Sequence, residues 1–215
     1  MIRILLVEDH ASFRQALAMA FDLQPDLHVV AEAGTIVEAR ALLADVDVAV
    51  VDLDLPDGVG TELIGPLRTI NQNAQVLVLT ASANQHDIAR AVELGASGAL
   101  HKSAQIAEIL GAVRRLSRGE LLWSPAELVS LMRLAGQERQ QRDAAQVTLK
   151  RLTPRELDVL RSLGGGLSDR EIAAHLSVGL ETVKTHMVSV LQKLGVDSRL
   201  QALVFAVRNG VVRLD

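Results

Sequence analysis

Five short apolar runs punctuate the first 120 residues: Arg3–Glu8, His28–Glu32, Asp47–Asp52, Gln75–Thr80 and Gly98–His101. Most are continuous Val, Leu, Ile and Ala rather than alternating apolar and polar, the pattern of strands covered on both faces. Between and after them lie Ser12–Leu23, Thr35–Ala44, Gly60–Ile70, His86–Leu94 and Ala104–Leu116, each long enough for a crossover helix. Five strand–helix units in this order predict a five-stranded, parallel, doubly wound (flavodoxin-like) α/β domain over residues 1–118. Gly65-Pro66 should kink or shorten the third helix, because proline removes a backbone donor.

The pattern breaks at Gly119, Ser124 and Pro125. The stretch AELVSLMRLAGQERQQRDAAQ then reads as one helix with a polar second half. Residues 119–147 are therefore expected to form a partly helical linker; the competing reading is a sixth helix of the first domain. Residues 148–215 are expected to be an all-α domain of four helices, 154–163, 169–176, 180–194 and 199–209. Thr153-Pro154-Arg155-Glu156 and Ser168-Asp169-Arg170-Glu171 are capping boxes. Gly164-Gly165-Gly166 ends one helix, and Gly195 and Gly210 stand where C-terminal glycines belong. The second and third helices are separated by only a few residues, the spacing of a helix-turn-helix.

Composition narrows the chemistry. The 215 residues include no cysteine, which excludes disulfides, thiolate metal sites and a cysteine nucleophile. No apolar run reaches the roughly 18 residues of a membrane span. The start, MIRILLVEDH, meets acid too early for a signal peptide. A soluble, cytoplasmic protein without a membrane partner is expected. Residues 1–146 carry 12 Lys and Arg against 19 Asp and Glu, whereas residues 147–215 carry 10 against 7. A basic tail on an acidic body points to the tail as the part that meets a polyanion.

In a doubly wound sheet, ligands bind at the carboxyl ends of the strands. The first predicted strand ends in Glu8-Asp9, the third in Asp52 and the fourth in Thr80, and the fifth runs into Lys102. Parallel strands deliver all of these to one edge. Clustered carboxylates need a cation, and oxygen-only ligands select a hard ion such as Mg²⁺. A shielded carboxylate can attack a phosphoryl group to give an acyl phosphate. A lysine can neutralise the transferred charge, and a threonine hydroxyl can hydrogen-bond its oxygens.

These residues resemble the receiver domains of two-component response regulators. The resemblance runs through LLVEDH (5–10), VVDLDLPDGVG (50–60), VLTAS (78–82) and GASGALHKS (95–103). It implies that Asp52 is the phosphoacceptor, that Glu8, Asp9 and Asp52 hold Mg²⁺ with the backbone carbonyl of Asp54, that Thr80 is a switch hydroxyl, and that Lys102 pairs with the phosphoryl group. One departure stands out. The family places Tyr or Phe three residues before the lysine, an aromatic that rotates inward when the threonine binds phosphate; here that residue is Ala99. A methyl cannot fill the space, so a weak phosphorylation-driven response is expected, strengthened in Ala99→Tyr if the pocket admits the ring.

In the 180–194 helix, Val183, Met187, Val190, Leu191 and Leu194 form one stripe, which should face its own core. Glu181, Lys184, Thr185 and Val188 fall on the opposite face, suited to a major groove, while Lys193 and Arg199 can reach phosphates. A small helical bundle with solvated charges is the competing reading. The segment from Leu152 to Val196 looks like the LuxR-type DNA-binding domain, notably at Leu152–Glu156, Glu171-Ile172-Ala173 and Thr182-Val183-Lys184 with His186. That resemblance implies base contacts from Lys184, Thr185 and Val188 and puts Thr182 near the DNA backbone. Gly179 stands where the family has a capping serine. His186 is assigned to packing or phosphate contact. Both domains in this order resemble the NarL/FixJ group. That implies a transcription regulator rather than an enzyme, with a sensor histidine kinase, double-stranded DNA and RNA polymerase as partners. It also implies a homodimer on DNA, to which the apolar run Ala202–Val207 is suited. Two alternatives remain: a regulator of the same fold that works without phosphorylation, and a phosphatase of the haloacid dehalogenase kind reading Asp52-Leu53-Asp54 as its nucleophile motif. The latter leaves the helix-turn-helix unexplained.

Overall fold

Runs of Val, Leu and Ile between amphipathic segments are what a sheet covered on both faces requires. The computed structural model, which describes residues 1–43, 45–82 and 84–212, contains such a sheet. Its strands are β1 (Ile2–Val7), β2 (Leu27–Ala33), β3 (Val48–Asp52), β6 (Gln75–Thr80) and β7 (Gly98–His101), all parallel, in the order β2-β1-β3-β6-β7. A two-residue hairpin, β4 (Asp54–Leu55) with β5 (Gly58–Val59), follows β3 and has no counterpart in the sequence reading. The helices of this unit are α1 (Ala11–Asp22), α2 (Ile36–Ala41), α3 (Ile64–Ile70), α4 (Gln85–Leu94) and α5 (Ile106–Ser117). Ala44, where the second helix was expected to end, lies outside the described residues.

Although the strands look uniformly apolar, their side chains still alternate between faces. Leu5, Val7, Ala49, Val51, Val76 and Val78 pack with α2, α3 and α4, while Ile4, Leu6, Val48, Val50, Leu77 and Leu79 pack with α1 and α5. The third helix is shorter than the expected 60–70. The chain makes a 3₁₀ turn over Gly60–Leu63, and α3 starts only at Ile64. Proline then falls in the first turn, where its missing N–H has no intrahelical partner to lose. Gly60 is required at its place, since a Cβ there would overlap the Asp52 carbonyl oxygen.

The chain divides into two compact units, residues 1–136 and residues 137–215. A single helix, α6 (Pro125–Leu149), includes residues of both. Four helices follow: α7 (Pro154–Gly164), α8 (Asp169–His175), α9 (Leu180–Leu194) and α10 (Arg199–Arg208). Both expected capping boxes form. Glu156 accepts from the Thr153 N–H at 2.7 Å, and Glu171 accepts from the Ser168 N–H at 2.7 Å. Gly195 closes α9 at φ 67°, a left-handed conformation that glycine adopts without a Cβ clash. Val159, Leu160, Ile172, Val183, Val190, Ala202 and Ala206 are the centre of this second core. Residues 213–215, the end of the predicted fourth-helix domain, lie outside the described residues.

Candidate functional site

The order reversal of the sheet falls between β1 and β3, so the residues following these strands share one crevice. Glu8, Asp9, His10 and Asp52 each present a ligand atom within 4.8 Å of the others. Glu8 and Asp52 have no exposed surface. Lys102 arrives from the strand beyond: its backbone N–H bonds the Thr80 carbonyl at 2.8 Å. Its ammonium lies 2.6 Å from Asp52 Oδ2, 2.8 Å from Glu8 Oε1 and 4.0 Å from Asp9 Oδ1. The Asp54 N–H donates to Asp52 Oδ1 at 3.2 Å, but the Asp54 carboxylate is not part of the cluster. Thr80 is buried at the end of β6, with its hydroxyl turned into its own loop. It donates to the Ser82 carbonyl at 2.9 Å and accepts from the Ser82 N–H at 3.0 Å.

His10 was not among the residues singled out from the sequence. Its ring lies 2.6 Å from Asp9 and 3.2 Å from Glu8. Its place directly after the acidic pair was the available signal. Arg14 adds a guanidinium hydrogen bond to the Glu8 carbonyl.

The electrostatics are those of crowded carboxylates sharing one ammonium. Burial pushes the Asp52 carboxyl above its usual range, and the neighbouring Glu8 charge pushes the same way, against the opposing pull of Lys102. Burial alone would lower Lys102, but Asp52 and Glu8 outweigh it and hold the ammonium charged. Asp9 is lowered: its burial is outweighed by His10 and Lys102. Glu8 Oε2 is buried without a hydrogen-bond partner among the described residues. An orphaned carboxylate oxygen on Glu8, beside the carboxylates of Asp9 and Asp52, fits a hard divalent cation such as Mg²⁺.

In the second unit, α8 and α9 are joined by four residues, and Arg155 holds the turn by donating to the Leu176 carbonyl at 2.8 Å. Val183, Met187, Val190 and Leu194 are buried on one side of α9. Thr182, Lys184, Thr185 and Val188 are exposed on the other, and Val188 keeps 64% of its surface. Gly179 caps α9 without a side-chain bond. Lys184 lies 2.7 Å from Glu181, which raises its pKa, and Thr185 donates to the Glu181 carbonyl at 2.9 Å. Partly buried His186 is neither on the open face nor in the core.

Lys193 and Arg199 are engaged within the fold. Lys193 Nζ bonds both oxygens of the buried Glu156, at 2.6 and 2.8 Å. Arg199 lies 2.7 Å from Asp169 and donates to the Leu167 carbonyl at 3.3 Å. Burial would raise the Glu156 carboxyl, but Lys193 and the Thr153 cap lower it below the usual range. Its contribution to stability is therefore present above the ordinary glutamate range and lost as pH falls through the lowered folded value. Lys193→Met should reduce hydrogen-exchange protection of α7 and α9 in the full chain by about 1–3 kcal/mol, toward the lower end because the ammonium is partly solvated. The salt dependence of DNA binding should not change. A salt slope shallower by about one would instead make Lys193 a phosphate contact.

Residues 4–114 match the family described as the response regulator receiver domain, and residues 150–206 match the luxR family of bacterial regulatory proteins. The nitrate/nitrite response regulator protein NarP of Escherichia coli is 33% identical over 204 residues, covering 94% of this chain and 93% of that protein. The DNA-binding transcriptional activator DevR/DosR of Mycobacterium tuberculosis is 34% identical over 208 residues, covering 96% and 94%. Among solved structures, a LuxR-family two-component response regulator from Aurantimonas sp. superposes with a TM-score of 0.54 at 31% identity, covering 65% of this chain and 98% of that one.

Proposed function

Because the chain belongs to the LuxR-type two-component response regulators, which carry a receiver domain and a helix-turn-helix DNA-binding domain, we propose that phosphorylation of Asp52 governs its sequence-specific binding to DNA. The observation that carries this reading is the Lys102 ammonium shared between two fully buried carboxylates, Glu8 and Asp52. A buried pair of acids at strand ends has little structural value, since each charge costs several kcal/mol to desolvate. It has chemical value if one of them is a nucleophile.

In this reading an Asp52 oxygen attacks the phosphorus of a donor, either a sensor kinase phosphohistidine or acetyl phosphate. The new O–P bond forms as the bond from phosphorus to the donor nitrogen or oxygen breaks, and the donor departs with that electron pair. Mg²⁺ held by Glu8, Asp9, Asp52 and the Asp54 carbonyl would supply the positive charge that offsets repulsion between carboxylate and phosphoryl oxygens. Lys102 exchanges one carboxylate for a phosphoryl oxygen. Thr80 leaves Ser82 to donate to another. Lys184, Thr185 and Val188 then face bases, Thr182 lies near the backbone, and Arg199 positions the module after leaving Asp169, while Lys193 stays with Glu156. Leu200 and Val204, exposed on α10, suit a homodimer on DNA. The partners are a sensor histidine kinase, double-stranded DNA and RNA polymerase, in the cytoplasm. No helix among the described residues is long and apolar enough to cross a membrane.

The test uses a DNA site selected from a random pool. Acetyl phosphate with Mg²⁺ should raise affinity for it by at least about fivefold, the lower end of ordinary allosteric coupling. Specific binding that ignores the phosphodonor would favour the phosphorylation-independent regulator. The α7 start signal, together with Leu149 and Leu152 packed onto the second core, supports a folding unit from residue 148. A fragment 148–215 should therefore bind the selected site without any phosphodonor, as read by fluorescence anisotropy. A folded fragment that ignores it would end the modular reading.

A further inference from the structure

Ala99 leaves space at a critical place, and the chain returns to that place from an unexpected direction. Ala99 on β7 pairs with Val78 on β6, and Thr80 lies two residues further along the same face. The Ala99 methyl and the Thr80 side chain are thus diagonal neighbours. After α5, the segment before α6 runs beside β7: the Leu122 N–H bonds the Ser97 carbonyl at 3.3 Å. Gly98 permits this approach, since a Cβ there would overlap Leu122. Leu122 packs on the core of the α1/α5 side of the sheet, and the next residue, Trp123, packs, as Ala99 does, on the core of the opposite side. This is the alternation of an extended edge segment. Trp123 is only partly buried, and it borders an open cleft with Ala99, Gly111 and Arg115. Directly after it, Ser124 caps α6, sharing bonds of 2.8 and 2.6 Å with Glu127.

We propose that Trp123 is the positioning residue that carries the state of Asp52 to α6, supplying beside Ala99 the aromatic bulk that β7 lacks. The proposal rests on the phosphorylation reading above. When Thr80 turns toward a phosphoryl oxygen, it gives up both bonds to Ser82 and withdraws from the face it shares with Ala99. A void there forfeits packing contacts, and the alanine methyl cannot fill it. Trp123 is a large apolar side chain that shares a core and a cleft with Ala99 and still has surface to bury. Moving inward, it draws its neighbour Ser124 and the first turn of α6. That helix continues without interruption to Leu149, so the displacement has a stiff carrier.

The chain contains one tryptophan and no tyrosine, so its fluorescence reports Trp123 alone. The probe is beryllofluoride with Mg²⁺ on the full chain, with occupancy followed independently by fluorine NMR. Bound fluoride should shift the emission to the blue and reduce quenching by acrylamide. Thr80→Ala should bind fluoride and leave the emission unchanged. The ratio of operator affinities with and without beryllofluoride should fall from at least about fivefold to near one in Trp123→Ala, with Trp123→Phe in between. Fluoride binding by Trp123→Ala confirms that the variant is folded. Bound fluoride with unaltered wild-type emission, or a wild-type affinity ratio in Trp123→Ala, would overturn the proposal while sparing the Asp52 reading. Failure of the wild type to bind fluoride at all would remove the Asp52 reading itself, and this inference with it.

Discussion

Asp52→Asn should abolish phosphoryl incorporation from acetyl phosphate and leave the fold intact. The expected loss is complete, because the amide nitrogen has no lone pair available for attack and the amide oxygen is a poor nucleophile. The surroundings tolerate the change. The asparagine oxygen can still accept from the Asp54 N–H, now 3.2 Å from Asp52 Oδ1. Burial and the nearby Glu8 raise the Asp52 carboxyl, so its ionised form is held at a cost. For an acid raised in the fold, the stabilising contribution is present below the unfolded value and is lost as pH rises through the folded one. A neutral amide escapes that loss, although Lys102 keeps only Glu8 as its close partner. Intact mass after incubation with acetyl phosphate and Mg²⁺ is the measurement. Stoichiometric gain of a phosphoryl group by Asp52→Asn would remove this residue as the acceptor.

Lys184→Ala should collapse the preference for a selected site while barely weakening binding to random DNA. A good base-edge contact is worth about 1–3 kcal/mol of discrimination, or roughly 5- to 150-fold. The lysine is placed for this role: it stands exposed on α9 opposite the buried stripe of Val183, Met187 and Val190. Its partner in the free protein, Glu181, is exposed on the same face. An exposed pair of this kind is weak and readily exchanged for a guanine edge. Titrations of the specific and random sequences over a salt series separate the outcomes. An equal loss on both, with a salt slope shallower by about one, would make Lys184 a phosphate contact.

The corrections share a cause with what the sequence could not encode locally. Ser168 and Glu171 specify a helix start because their partners lie three residues apart. Strands β6 and β7 have the boundaries their apolar runs predict. The acidic cluster followed from topology: once the strands are parallel, their carboxyl ends, and with them Glu8, Asp9, Asp52 and Lys102, must share one edge. The pairing of Lys193 was not legible, because its partner Glu156 is 37 residues away. The run 126–146 was legible as one helix, and α6 extends it only to Pro125 and Leu149; its apolar residues follow no single stripe that would assign it to one unit. Ala99 read as a missing part, because the large side chain that borders the same cleft, Trp123, comes from beyond the next helix. Periodicity, capping and strand-end chemistry are written within a few residues, and the sequence by itself determined those. Which side chain meets which across tens of residues depends on how the elements pack, and only the tertiary structure decided that.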